Sequence, residues 1–131
     1  MELHPSILLS RGSIVHTETG TVIQTDHGKF LVVVGEIDGQ LGLVCINSKP
    51  RSRRPESQVE IGPESAKCLS HVSYIDCGEL NVRPKARLEK LMREGRIQYR
   101  GAVGADVWAR AAEAALKCAT LSQKEKDFFR S

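Results

Sequence analysis

Four of the six residues from Lys49 to Arg54 are cations: Lys49, Arg51, Arg53 and Arg54. A cluster of this kind can grip the phosphates of a single strand of nucleic acid without reading its bases. The plainer reading is a solvated, flexible loop. The segment 49–58 carries four cations and one carboxylate, a local +3 that equals the net charge of the whole chain. The basic character therefore belongs to one loop, not to a general coat. Metal and dithiol chemistry are disfavoured by spacing. Cys45, Cys68, Cys77 and Cys118 form no C-x-x-C pair, and His4, His16, His27 and His71 are scattered. The thiols read as small buried side chains of a reducing compartment.

The elements that must position this loop change character near residue 80. Before it, Gly12–Thr17, Thr21–Thr25, Phe30–Val34, Leu41–Ile46, Gln58–Ile61 and Ser73–Ile75 have strand length and β-branched content. The continuous apolar runs Phe30–Val34 and Leu41–Ile46 suit strands covered on both faces. Asp38-Gly39 between them reads as a hairpin turn. Lys49 to Ser57 has two prolines and no apolar residue, which predicts a long exposed loop. After Pro84, a residue suited to a first helical turn, Leu88, Leu91 and Met92 follow at helical spacing and Gly95 terminates. Arg96–Arg100 reads as a short strand. Ala105–Ala119 carries an apolar stripe of Val107, Trp108, Ala111, Ala112, Ala115, Leu116 and Ala119, opposite Asp106, Arg110, Glu113 and Lys117. Ser122 and Glu125 have the spacing of a capping box.

These signals predict one domain over residues 1–131: a small SH3-like barrel built from about residues 10–77, with a mainly helical part at 84–130. The fold class is α+β, mainly β with C-terminal helices. Forty per cent apolar and 27% charged residues fit a globular chain rather than a disordered one. The opening Met1–Ser10, with its three-residue apolar run, reads as neither a secretion signal nor a membrane span, so a cytoplasmic location is expected.

The order of segments resembles the MazF/PemK superfamily of toxin endoribonucleases, including its more divergent ToxN-like branch. The resemblance rests on Gly12-Ser13-Ile14-Val15, Gly28-Lys29 before the apolar strand Phe30–Val34, and Leu43–Lys49 with its small polar end. It continues through the basic loop, Val59-Glu60-Ile61, Leu80–Arg83, the helix with Leu88 and Leu91, Gly95-Arg96-Ile97 and the alanine-rich helix. The usual pattern has Arg-Pro where this chain has Gly28-Lys29, and threonine-serine where it has Asn47-Ser48. The divergent branch uses lysine at the first place.

The resemblance implies metal-independent cleavage of single-stranded RNA, with no cofactor, leaving a 2′,3′-cyclic phosphate and a 5′-hydroxyl. In that chemistry the substrate's own 2′-oxygen is the nucleophile. The protein positions the nucleotide, stabilises charge on the phosphorane oxygens and helps protons move. Lys29 and Ser48 are the implied catalytic pair, with the Asn47 amide as a further donor. His27, Lys49, Arg51, Arg53 and Arg54 are the RNA-binding candidates. His16 or His27 would carry protons if the turns bring them near Lys29, and Asp76 would orient a cation. Each has an ordinary structural alternative: a turn lysine, a capping serine, a half-buried histidine, a turn aspartate. Implied partners are RNA, a protein or RNA antitoxin, and a second copy of the chain. Two rival functions remain: a barrel of the same ancestry that binds nucleic acid or protein without cleaving, and an SH3-like adaptor with no nucleic-acid role.

Overall fold

The structure, a computed structural model, describes residues 4–18, 20–23, 28–50 and 55–131. After a short helix α1 (Pro5–Leu8) come strands β1 (Ser13–Thr17), β2 (Lys29–Ile37), β3 (Gln40–Asn47), β4 (Gln58–Ile61), β5 (Ser73–Asp76) and β6 (Asn81–Pro84). Helix α2 (Lys85–Arg93), strand β7 (Ile97–Ala102) and helices α3 (Ala105–Lys117) and α4 (Gln123–Arg130) complete the chain. The seven described strands form one antiparallel sheet in the order β4-β5-β3-β2-β1-β7, with β6 pairing the first half of β3.

Both faces of this sheet are covered, which is why β2 and β3 are apolar without alternation. Val32, Val34, Val44 and Ile46 point into a core shared with α3 and α4. Leu31, Val33, Leu41 and Leu43 point the other way, into a core shared with α2 through Leu88 and Leu91. Period-two geometry sends adjacent residues to opposite faces, and here each face finds a helix. The β2–β3 hairpin closes through Asp38 and Gly39 at φ +50° and +76°. Ile37 pairs with Gln40 across this two-residue turn. Paired left-handed residues match the twist of the flanking strands.

The C-terminal helix is seated on a pair of glycines. Gly35 and Gly42 face each other across β2 and β3 beside a register shift. A Cβ on Gly35 would lie 2.1 Å from the Phe128 carbonyl oxygen and 2.0 Å from Ser131 Oγ. Ser131 Oγ donates to the Phe128 carbonyl (2.7 Å) and accepts from the Glu36 N–H (3.1 Å). Replacing Gly35 with alanine must push α4 off the sheet. Gly35→Ala is expected to cost about 1–3 kcal/mol of unfolding free energy, read as a lower urea midpoint. An unchanged midpoint would mean that α4 does not sit there.

Several sequence expectations are met: the strands at 13–17, 29–37, 40–47, 58–61 and 73–76, the helix ended by Gly95 at φ +78°, and the capping box. Others are corrected. Residues 21–23 form a turn and a bend rather than a strand, with Thr21 N–H bonded to the Glu18 carbonyl at 3.2 Å; Gln24 and Thr25 lie outside the described residues. The end of the expected loop is a single 3-10 turn, Pro55–Ser57, with Ser57 buried. The buried stripe of α3 is Val107, Ala111 and Ala115. Trp108 is half-buried beside it, stacked on Phe129 at 6.1 Å with the Arg11 guanidinium over its ring. Ala119 is exposed beyond the helix end.

Candidate functional site

The candidate site lies where β2 begins and β3 ends. Phe30 and Ile46 are register partners, so Lys29 and Asn47 come opposite each other one step further on. Lys29 is held in place from the other side too, by β1, where Thr17 is its partner and Thr17 Oγ1 donates to the Lys29 carbonyl at 3.4 Å. Asn47 is pinned by pairing with Tyr74 of β5. Lys29 Nζ donates to Asn47 Oδ1. An ammonium has only donors, so the amide oxygen faces it and the Asn47 NH₂ is left to donate elsewhere.

These residues border an open cavity of about 200 Å³. Gly28, Lys29, Asn47 and Ser48 form one wall. Cys68, Leu69, Ser70, His71 and Ser73, from the segment that leads into β5, form the other, and Phe30 and Ile46 add apolar surface. Of the sequence-derived candidates, Lys29, Asn47 and Ser48 therefore come together, and exposed Lys49 follows directly. His27, Arg51, Arg53 and Arg54 lie outside the described residues.

Two other candidates are placed elsewhere. His16 packs edge-on against Phe30 at 4.8 Å. It sits behind Phe30 and Gly28, which line the cavity, and does not line it itself. A Cβ on Gly28 would lie 2.7 Å from the His16 ring. Glycine at 28, where the resembling pattern has arginine, thus makes room for the imidazole. Asp76 is buried away from the cavity, accepting from Gln58 Nε2 at 2.9 Å and the Gly78 N–H at 3.1 Å, so it ties β4 and a turn to β5.

Sequence reasoning missed the second wall. Nothing in the spacing of Cys68, Ser70, His71 and Ser73 marks them; they reach the site only because β5 pairs with the end of β3. Burial pushes the Cys68 thiol above its ordinary range, with partial relief from a backbone hydrogen bond and Arg100. Burial, Asp76 and Cys118 push the Cys77 thiol up to about 12. Neither sulfur is a thiolate near neutral pH. What the cavity offers is a cation, an amide and hydroxyls converging on one opening, a set suited to an anionic oxygen. Among the described residues no three of His, Cys, Asp or Glu are grouped as metal ligands. No described helix is long and apolar enough to cross a membrane.

No protein-family profile matches the chain, and no curated protein matches it in sequence. Solved structures do. The Mycobacterium tuberculosis toxin MazF-mt6 superposes with a TM-score of 0.52 at 14% identity, covering 77% of this chain and 90% of that one. A MazE-MazF structure from Deinococcus radiodurans superposes with a TM-score of 0.55 at 13% identity, covering 81% of this chain and 91% of that one. The fold is MazF-like: α+β, a seven-stranded antiparallel sheet with C-terminal helices.

Proposed function

We propose that this chain is a toxin-type, metal-independent endoribonuclease acting on single-stranded RNA. The observation that carries the proposal is the convergence of Lys29, Asn47 and Ser48 at one open cavity of a MazF-like fold. In this reading Lys29 holds the non-bridging oxygens of the scissile phosphate, and Asn47 both orients the ammonium and donates its own N–H. The Ser48 hydroxyl adds a third donor. Such donors accelerate the reaction because they bind the charge of the phosphorane more tightly than that of the ground state. The 2′-oxygen attacks phosphorus, the 5′-oxygen leaves, and the products are a 2′,3′-cyclic phosphate and a 5′-hydroxyl. Expression alone in a bacterium tests the biological side: growth arrests with the wild type and not with Lys29→Ala. Normal growth with both would count against a toxin.

The MazE-MazF likeness supports an antitoxin as the partner that restrains the chain, and a second copy of the chain is a further partner in this reading. The cationic loop supplies affinity that does not depend on base sequence. Replacing Arg51, Arg53 and Arg54 together with alanine is expected to weaken RNA binding. It should also flatten the slope of log K against log salt by about 0.7 for each phosphate the loop no longer neutralises. Binding titrations at several salt concentrations measure this; an unchanged slope would make the loop a bystander. A non-cleaving RNA-binding module is the second reading, favoured by Gly28, where the His16 imidazole takes the space of the arginine in the resembling pattern. RNA binding without cleavage separates the two.

A further inference from the structure

We propose that His71 is the proton-accepting catalytic residue of this site; the inference rests on the endoribonuclease reading above. Charge stabilisation by Lys29, Asn47 and Ser48 leaves one requirement unmet, since attack by the 2′-oxygen releases a proton that needs an acceptor. An ammonium and an amide N–H have no lone pair for it. Of the described groups lining the cavity, the imidazole of His71 is the one built to take it.

Its tautomer is set by its surroundings. His71 Nδ1 lies 2.8 Å from the Val72 carbonyl oxygen. A carbonyl only accepts, so Nδ1 carries the hydrogen and Nε2 presents the lone pair. The backbone that carries the ring is held as well, because Ser73 Oγ donates to the His71 carbonyl at 3.3 Å and Ser73 begins β5. His71 is solvent-exposed and lines the same open cavity as Lys29 and Asn47, where a phosphodiester can enter.

The step balances as follows. The 2′-hydroxyl proton passes to His71 Nε2 as the 2′-oxygen bonds to phosphorus. The bond from phosphorus to the 5′-oxygen breaks with its electron pair on that oxygen. Water protonates it, and the hydroxide so formed takes back the imidazolium proton. His71 ends as it began.

Among the described residues, the other titratable groups on the cavity are Lys29 and Cys68. An ammonium has no lone pair to take the proton, and burial raises the Cys68 thiol. An acid limb that the wild type shows and both His71 variants lose reports His71. The test is the single-turnover cleavage rate of a short single-stranded RNA from about pH 5 to 9 with wild type, His71→Ala and His71→Gln. Both variants are expected to lose about 10²-fold or more in rate, to lose the acid limb, and to keep the wild-type unfolding midpoint. Added imidazole should restore His71→Ala but not Lys29→Ala. Cleavage by wild type with His71→Ala and His71→Gln at the same rate would overturn the role of His71 alone. A wild type that leaves RNA intact would overturn the endoribonuclease reading together with it.

Discussion

Lys29→Ala is expected to lower the rate of RNA cleavage by about 10²–10³-fold while leaving the unfolding midpoint near that of the wild type. The two halves of this expectation have separate grounds. The rate falls because, among the described residues, the ammonium is the one full positive charge lining the cavity, and a positioned donor to a developing oxyanion acts in the transition state above all. The fold survives because Lys29 stands at the first position of β2. Its backbone stays paired with Thr17 whatever the side chain, and its single described side-chain bond is to Asn47. Losing that bond frees an amide already at the edge of solvent, a small loss beside the core. Lys29→Arg separates charge from shape: a planar fork replaces a compact point charge, so partial activity is expected. Equal rates for wild type and Lys29→Ala would remove Lys29 from the mechanism.

The largest effect on stability is expected at Phe129. Its side chain is 3% exposed, packed in the core between the sheet and α3 and stacked on Trp108. Phe129→Ala should cost about 3–5 kcal/mol, because a ring is removed from a site where the sheet, α3 and α4 meet and none can collapse into the space. Trp108→Ala should cost less, since that ring is half-buried and covered in part by the Arg11 guanidinium. Urea denaturation of the two variants gives both numbers. A loss below about 1 kcal/mol at Phe129 would mean that α4 is not docked on the sheet.

Where local pattern and tertiary context agree, the sequence was enough. Two unbroken apolar runs joined by Asp38-Gly39 fixed β2 and β3 and their two-sided burial, and Ser122 with Glu125 announced the start of α4. Where context overrides pattern, it was not. Thr21–Ile23 has strand composition, yet Val22 is buried next to α2 and its carbonyl accepts from Arg83 Nε at 3.0 Å, which suits a turn better than an extended strand. Strand β6 is four residues long and ends in proline, so nothing in Asn81–Pro84 marks a strand until β3 offers its edge. In the stripe of α3 the large ring looked central because it is large. The sheet leaves room there for Ala111 and Ala115, and Trp108 is turned to the side, against Phe129.

The site divides in the same way. The family resemblance singled out Lys29, Asn47 and Ser48, and the β2–β3 hairpin brings the strand ends that carry them to one cavity. His71 was not legible, since it lies 42 residues from Lys29 and reaches the cavity only through the pairing of β5 with the last residues of β3. Gly28 gains its meaning only from the imidazole of His16 beside it.

The central claim is that this fold cuts RNA by attack of the substrate's own 2′-oxygen. The most direct measurement is mass spectrometry of the fragments left when purified protein acts on a defined single-stranded RNA in the presence of a chelator. The same RNA with a 2′-deoxy sugar at the cleaved position runs beside it. The predicted result is paired fragments ending in a 2′,3′-cyclic phosphate and beginning with a 5′-hydroxyl, with no cut in the 2′-deoxy strand. Intact RNA, or cleavage of the 2′-deoxy strand, would contradict it.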